Sequence, residues 1–157
     1  MRPVQDVGIG CALAASIVDQ ASKAIAISMG PRLEAGIEVL SVFNLILVRN
    51  RGVSFGLLAN LPWWALAITG LLAVAGLSVW LWRTDRKLDA AAIGLTIGGA
   101  LGNIMDRMRF GAVTDFLDFH VGMYHWPAFN FADISIVSGL ALLLWRTREE
   151  HRREPAN

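Results

Sequence analysis

Residues 88–108 read LDAAAIGLTIGGALGNIMDRM, and the two ends of this stretch ask for different surroundings. The run from Ala90 to Leu101 is apolar or small throughout, while Asn103, Asp106 and Arg107 crowd its end. A helix starting at Leu88 reaches those polar residues after roughly 22–29 Å of rise, which is the depth of a bilayer's far interface. Gly94, Gly98 and Gly102 recur at four-residue spacing and predict a groove for close contact with a neighbouring helix. Asn103 and Arg107, also four apart, face the same way.

Three further apolar runs flank it, at residues 7–29, 61–82 and 129–145, the last short unless its polar entry lies in the interface. Hydrophobic residues make up 55% of the chain, against roughly 45–50% apolar in soluble domains. The expected fold is an integral membrane protein, mainly α, with four transmembrane helices. Its 157 residues fit one domain, 1–157, with a polar, frayed tail at 146–157.

Arg2, the turn with Arg83, Arg86 and Lys87, and the tail with Arg146, Arg148, Arg152 and Arg153 fall on one side of this four-span arrangement. The positive-inside rule makes that side, with both termini, cytoplasmic, although the outer side also carries Arg32, Arg49, Arg51 and Arg109. Trp63, Trp64, Trp80, Trp82, Trp126 and Trp145 lie near span ends, as an aromatic belt would.

A net charge of +1, with no basic patch interleaved with aromatics, argues against nucleic acid. Cys11 is the only cysteine, which excludes an internal disulfide and a cysteine-based metal cluster. Gly8-Ile9-Gly10-Cys11 has a faint likeness to a lipoprotein acylation site, but the apolar stretch before it is short and contains Asp6, so a buried cysteine is the better reading. Asp19 and Lys23 interrupt the first run and make it a retained helix rather than a cleavable signal peptide.

Two outer segments remain, 30–60 and 109–128. The first contains IEVLSVFNLILV followed by the turn signal Asn50-Arg51-Gly52, and predicts a small sheet against the membrane. A re-entrant helix is the alternative, tolerable only if protein covers it.

Ionisable groups within spans are costly and are either paired or functional. Asp19 and Lys23 share a helix face, and a structural salt bridge is the leading reading for them. The fourth run enters from outside and sets Asn130 and Asp133 in its first turn, level with Asn103 and Arg107. The macrodipole favours ionised Asp133 there, so helix capping explains that residue as well as chemistry does. Asp115 sits in AVTDFLDF, whose alternation fits an interfacial strand. A loop between Asp115 and Asp133 is long enough to fold back and oppose them. Two carboxylates held close in a low-dielectric cleft cannot both ionise, so the pair would act as acid and base.

Other chemistries fit less well. Ser22 and Ser54 lack a histidine partner. Asp115, Asp118, His120 and His125 show no metal-ligand spacing, and Asp118 and the histidines read as loop polar groups. Gly98-Gly99 lies within a span, so no phosphate loop is present. A small transporter or proton relay would spread polar groups through the full depth, whereas the inner halves offer little beyond Ser16, Thr69, Ser78, Thr96 and Ser138.

Five motifs in order, Asp19-Gln-Ala-Ser-Lys23, Val48-Arg-Asn50-Arg-Gly52-Val-Ser-Phe55, Gly98-Gly-Ala-Leu-Gly-Asn103-Ile-Met-Asp106-Arg107, Val113-Thr-Asp115-Phe and Phe129-Asn130-Phe-Ala-Asp133, make the chain resemble bacterial lipoprotein signal peptidase, signal peptidase II, over nearly its full length. The resemblance implies an aspartyl endopeptidase of the bacterial inner membrane, working near the outer leaflet without a cofactor or a metal. It implies Asp115 and Asp133 as the catalytic pair, with Asn50, Gly52, Asn103, Arg107, Asn130, Asp19 and Lys23 supporting them or the substrate. It also implies an extracytoplasmic β-sheet (cradle) on the membrane surface and an outer amphipathic loop, to which the two outer segments would correspond. The expected partners are a lipidated prolipoprotein and membrane phospholipid, with the chain acting as a monomer. Asp118 lies outside the matched pattern.

Overall fold

The computed structural model describes residues 3–52 and 61–153, and side chains as far as residue 149. Arg2, Ser54 and Phe55, and the side chains of His151, Arg152 and Arg153, lie outside the described residues.

In chain order the elements are α1 (Pro3–Ser28), α2 (Gly30–Glu34), β1 (Ile37–Leu40), β2 (Phe43–Asn50), α3 (Trp63–Arg83), α4 (Lys87–Phe110), β3 (Val113–Val121), β4 (Tyr124–His125) and α5 (Phe131–Arg153). Three of the helices, α1, α3 and α4, are long and apolar enough to cross a membrane. Large apolar residues of α1 and α3, among them Ile17, Ile25, Leu72 and Val79, face outward, which suits lipid and would be costly in water.

The central helix is α4, 56% buried along its apolar window against 22% for α1 and 17% for α3. Its glycines explain why. A side chain at Gly94 would collide with the Gly8 carbonyl and one at Gly98 with the Ala12 carbonyl, so α1 lies backbone to backbone along the groove the spacing predicts. On the other side, Gly99 meets Ala132, and Gly139 meets Ala92 and Thr96. Together with the ion pair between Asp89 and Arg146, these contacts run α5 antiparallel beside α4 from Gly99 to Asp89. A left-handed Gly111 ends α4, its N–H donating to the Arg107 carbonyl.

Two expectations change here. The tail is helical as far as Arg153, because α5 continues through residues 146–153 instead of fraying. Its apolar stretch, Ile134 to Trp145, is closed off by Asp133 on one side and by Arg146, Arg148 and Glu149 on the other, so α5 is less apolar than the other three long helices.

Both outer segments feed one antiparallel sheet in the order β1-β2-β3-β4. The first segment forms strands, as its β-branched run predicts, and the re-entrant alternative falls away; the short helix α2 has no clear signal in the sequence. One face of the sheet rests on the C-terminal end of α1 and on α2 through Ala26, Leu33, Phe116 and Leu117. The second segment is a strand pair, the first strand as the alternation of AVTDFLDF predicts, and Asp118 is a buried strand residue instead of a loop polar group.

Candidate active site

One short piece of pairing sets the site. Leu117 of β3 exchanges backbone hydrogen bonds with Phe129, donating at 2.9 Å and accepting at 3.0 Å. The chain entering α5 is thereby stitched to β3, so Asp115, two residues up the strand, and Asp133, four residues on, converge on Asn130 between them.

Asn130 touches both carboxylates. Its side-chain Nδ2 donates to Asp115 Oδ1 at 2.6 Å, and its backbone N–H donates to Asp133 Oδ2 at 3.2 Å. Asp133 N–H returns a bond to Asn130 Oδ1 at 3.1 Å. This reciprocal pair is a capping box, so the capping role foreseen for Asp133 is present. It occupies one carboxylate oxygen; the other, Oδ1, accepts from Asn103 Nδ2 at 2.9 Å.

Three asparagine amides surround the pair, and each has its oxygen committed elsewhere. Asn50 Oδ1 accepts the Gly52 N–H at 3.0 Å, which turns Nδ2 onto Asp115 Oδ2 at 2.9 Å. Asn103 Oδ1 accepts from the Lys23 ammonium at 3.0 Å, which has donors only and so turns the NH2 to Asp133. Asn130 Oδ1 is held by the Asp133 N–H. A carboxylate in place of any of these amides would present oxygen to oxygen.

Asp115 is 2% exposed. Burial pushes its carboxyl up to about 6, with the nearby Asp133 charge adding to the rise and the Asn50 and Asn130 hydrogen bonds opposing it. Arg107 reaches the same cluster from α4, donating to the Gly52 carbonyl at 2.9 Å and to the Asn103 carbonyl at 3.2 Å, and so ties the Asn50 turn to α4. Gly52 itself is buried.

Beneath lies a second charged layer. Lys23, 2% exposed, pairs with Asp19 at 2.9 Å, as their spacing predicts, and also with Asp106 at 3.4 Å. Asp19 passes close to the backbone of α4 at Gly102, where a side chain would collide with it. The nine residues expected around the site are thus together: Asp19 and Lys23 from α1, Asn50 and Gly52 from β2 and its turn, Asn103 and Arg107 from α4, Asp115 from β3, and Asn130 and Asp133 at the head of α5.

Gln20 and Thr114 were not anticipated. Gln20 Nε2 donates to Asp19, Asp106 and the Gly102 carbonyl, and its Oε1 accepts from Arg109 at 3.0 Å. Nothing in the spacing marks Gln20. Asp106 offered a signal, since an acid inside an apolar helix needs a partner. Asp118, with His125 and His120, forms a separate cluster further along β3; among the described residues no group of three or more His, Cys, Asp and Glu could hold a metal ion.

A family model described as signal peptidase (SPase) II matches residues 11–148. The chain is 40% identical over 161 residues to the lipoprotein signal peptidase of Geobacter sulfurreducens, across 99% of this chain and 100% of that one. It is 43% identical over 143 residues to that of Syntrophotalea carbinolica, across 86% and 88% respectively. Among solved structures, a bacterial membrane enzyme determined by the in meso method superimposes with a TM-score of 0.82 at 28% identity, over 96% of this chain and 93% of that one. The chain belongs to the signal peptidase II family.

Proposed function

We propose that this member of the family removes signal peptides from prolipoproteins as an aspartic endopeptidase, with Asp115 and Asp133 as its acid and base. The observation that carries this reading is the bridge at Asn130: one residue donates to both carboxylates, and every carboxylate oxygen of the pair already accepts a hydrogen bond. Such a pair is held in place, with Asp115 buried and Asp133 half-buried, and a single proton is shared between its two members.

The ionised carboxyl takes a proton from a water whose oxygen attacks the scissile carbonyl carbon. The protonated carboxyl gives its proton to the carbonyl oxygen as charge develops there. Collapse of the tetrahedral intermediate passes the first proton to the leaving nitrogen, breaks the C–N bond and returns the second proton to the pair. The substrate is a diacylglyceryl-modified precursor cut before its lipidated cysteine, its signal helix lying along the spans.

The same reading makes α5 the fourth span. It runs beside α4 from Gly99 to Asp89, so it shares the depth of a helix that is itself long enough to cross. Both termini are then cytoplasmic, the pair lies near the outer leaflet of the inner membrane, and the sheet covers it from outside, all within a single domain acting as a monomer. A proton relay is less well supported: the hydroxyls of Thr69, Ser78 and Thr96 donate to carbonyls of their own helix, and that of Ser16 to Gly98, so they form no path across the membrane.

The test is direct. Asp115→Asn and Asp133→Asn, purified in folded form, should each leave lipidated precursor uncut. Turnover at the wild-type rate by either variant overturns the assignment.

A further inference from the structure

The second charged layer repeats the geometry of the first. Asp106 Oδ2 accepts the backbone N–H of Thr114 at 2.8 Å, and Thr114 is the residue before Asp115. Asp19 Oδ1 accepts the backbone N–H of Ala132 at 2.9 Å, and Ala132 is the residue before Asp133. Each acid of the lower pair therefore holds the chain one residue ahead of an acid of the upper pair. Both lower acids close on the one Lys23 ammonium, and Gln20 Nε2 bridges them at 3.1 and 3.3 Å. Asp19, Asp106, Lys23, Thr114 and Ala132 are all buried, so solvent screens none of these contacts.

From this we infer that Asp106 is a positioning residue, one arm of a two-armed ionic clamp centred on Lys23 that sets the separation of Asp115 and Asp133. The inference rests on the reading of Asp115 and Asp133 as the reacting pair. Backbone amides are fixed points: shifting Thr114 N–H moves the origin of the Asp115 side chain, and shifting Ala132 N–H moves that of Asp133. The two arms share one cation, so a change in one arm is felt by the other. Lys23 also holds Asn103 Oδ1 and through it the Asn103 amide on Asp133, so the cation acts on the upper pair by two routes. The charged groups facing the clamp are Arg107 and, through its bond to Gln20, Arg109 from α4, and the upper pair itself, from β3 and α5.

A clamp that only stabilised the fold would change melting and leave the chemistry alone. A clamp that sets separation changes how strongly the two upper carboxyls interact. Asp106→Ala and Asp106→Asn are compared with wild type on a synthetic lipidated precursor in bilayer nanodiscs, with kcat and KM followed across pH. Misplacement by about 1 Å costs about 100-fold, so Asp106→Ala should lose about that much in kcat while KM stays within about twofold. The two limbs of its kcat–pH profile should move toward each other, because carboxyls further apart titrate more independently. Asp106→Asn keeps an oxygen for Thr114 but loses the charge for Lys23, and should show the same limb movement with a smaller fall in kcat. A wild-type kcat with unmoved limbs, or a lower melting temperature alone, overturns the clamp. If Asp106→Ala does not fold, the limbs of Asp106→Asn decide. Asp115→Asn and Asp133→Asn in the same assay separate the two failures: if they cut normally the reacting pair is misassigned, whereas if they are dead while both Asp106 variants match wild type only the clamp is lost.

Discussion

Asp115 and Asp118 lie three residues apart on the same strand, and by burial they are twins, 2% and 3% exposed. Each also accepts a hydrogen bond from the side-chain amide of an asparagine of β2, Asn50 for Asp115 at 2.9 Å and Asn44 for Asp118 at 3.1 Å. They differ in the next partner. Asp118 meets the ring of His125, with Nδ1 at 2.9 Å, whose side chain is 53% exposed. Asp115 shares Asn130 with a second carboxylate. A buried acid that meets a ring nitrogen has a hydrogen-bonding partner of complementary chemistry, whereas a buried acid given another acid must keep a proton between them. Burial is common to both, and the partner separates structure from chemistry.

The sharpest way to break this contrast is to neutralise each acid in turn. Asp115→Asn should lower cleavage by at least about a thousandfold, within the range that acid–base groups supply. Asp118→Asn, three residues along the strand, should cut within a few-fold of wild type. Comparable losses at both positions, measured as single-turnover cleavage of lipidated precursor, would mean that the two carboxylates belong to one site.

Next in size is the residue that joins the acids. Asn130→Ala removes the side-chain donor to Asp115 and the acceptor that caps α5, leaving only its backbone N–H on Asp133. Loss of the cap costs about 1 kcal/mol of stability. The loss in rate should be much larger, about 100-fold, since the acids lose their common reference point. Asn44→Ala, the matching change beside Asp118, should cost no rate. If Asn130→Ala lost stability alone, bridging would have no part in the chemistry.

How much of this was legible before the structure follows the range of the forces involved. Hydropathy and helical spacing act locally, so the glycine face of α4 and the Asp19–Lys23 pair stand in the sequence and reappear in the fold. The strand run before Asn50 was likewise readable. The end of α5 was not, because polar residues 146–153 say nothing locally about whether the helix continues. The meeting of Asp115 with Asp133 depends on the Leu117–Phe129 pairing, a register that no local pattern specifies. The motifs named both acids through the resemblance; spacing only permitted their approach. Asp118 was read as a loop residue because its partner comes through another register, His120 opposite His125.

Titration of Asp115 gives a smaller effect. The Asp115 carboxyl lies near 6 in the fold against an ordinary 3.8, so the folded state binds that proton more tightly than the unfolded chain does. Its contribution to stability is therefore complete below about pH 4 and declines as pH rises through 6, by up to ~3 kcal/mol. Wild type should lose stability over that interval relative to Asp115→Asn, with the gap closing toward pH 4. Chemical denaturation in detergent at pH 4, 5, 6 and 7 measures it, and a constant gap would mean that Asp115 is ordinary in the fold.

The smallest effect belongs to the exposed half of the Asp118 pair. His125 stacks on His120 with ring centroids 4.9 Å apart and reaches Asp118 from solvent, so screening limits the pair to at most about 1 kcal/mol. Removing His125 leaves Asp118 with the Asn44 amide and with solvent that can enter where the ring stood. His125→Ala should therefore melt at most about 4 °C lower and cut precursor at the wild-type rate. A loss of rate approaching that of Asn130→Ala would show that the β3–β4 hairpin holds Asp115 in place through Asp118, and the two acids would then differ in distance from the chemistry and not in kind.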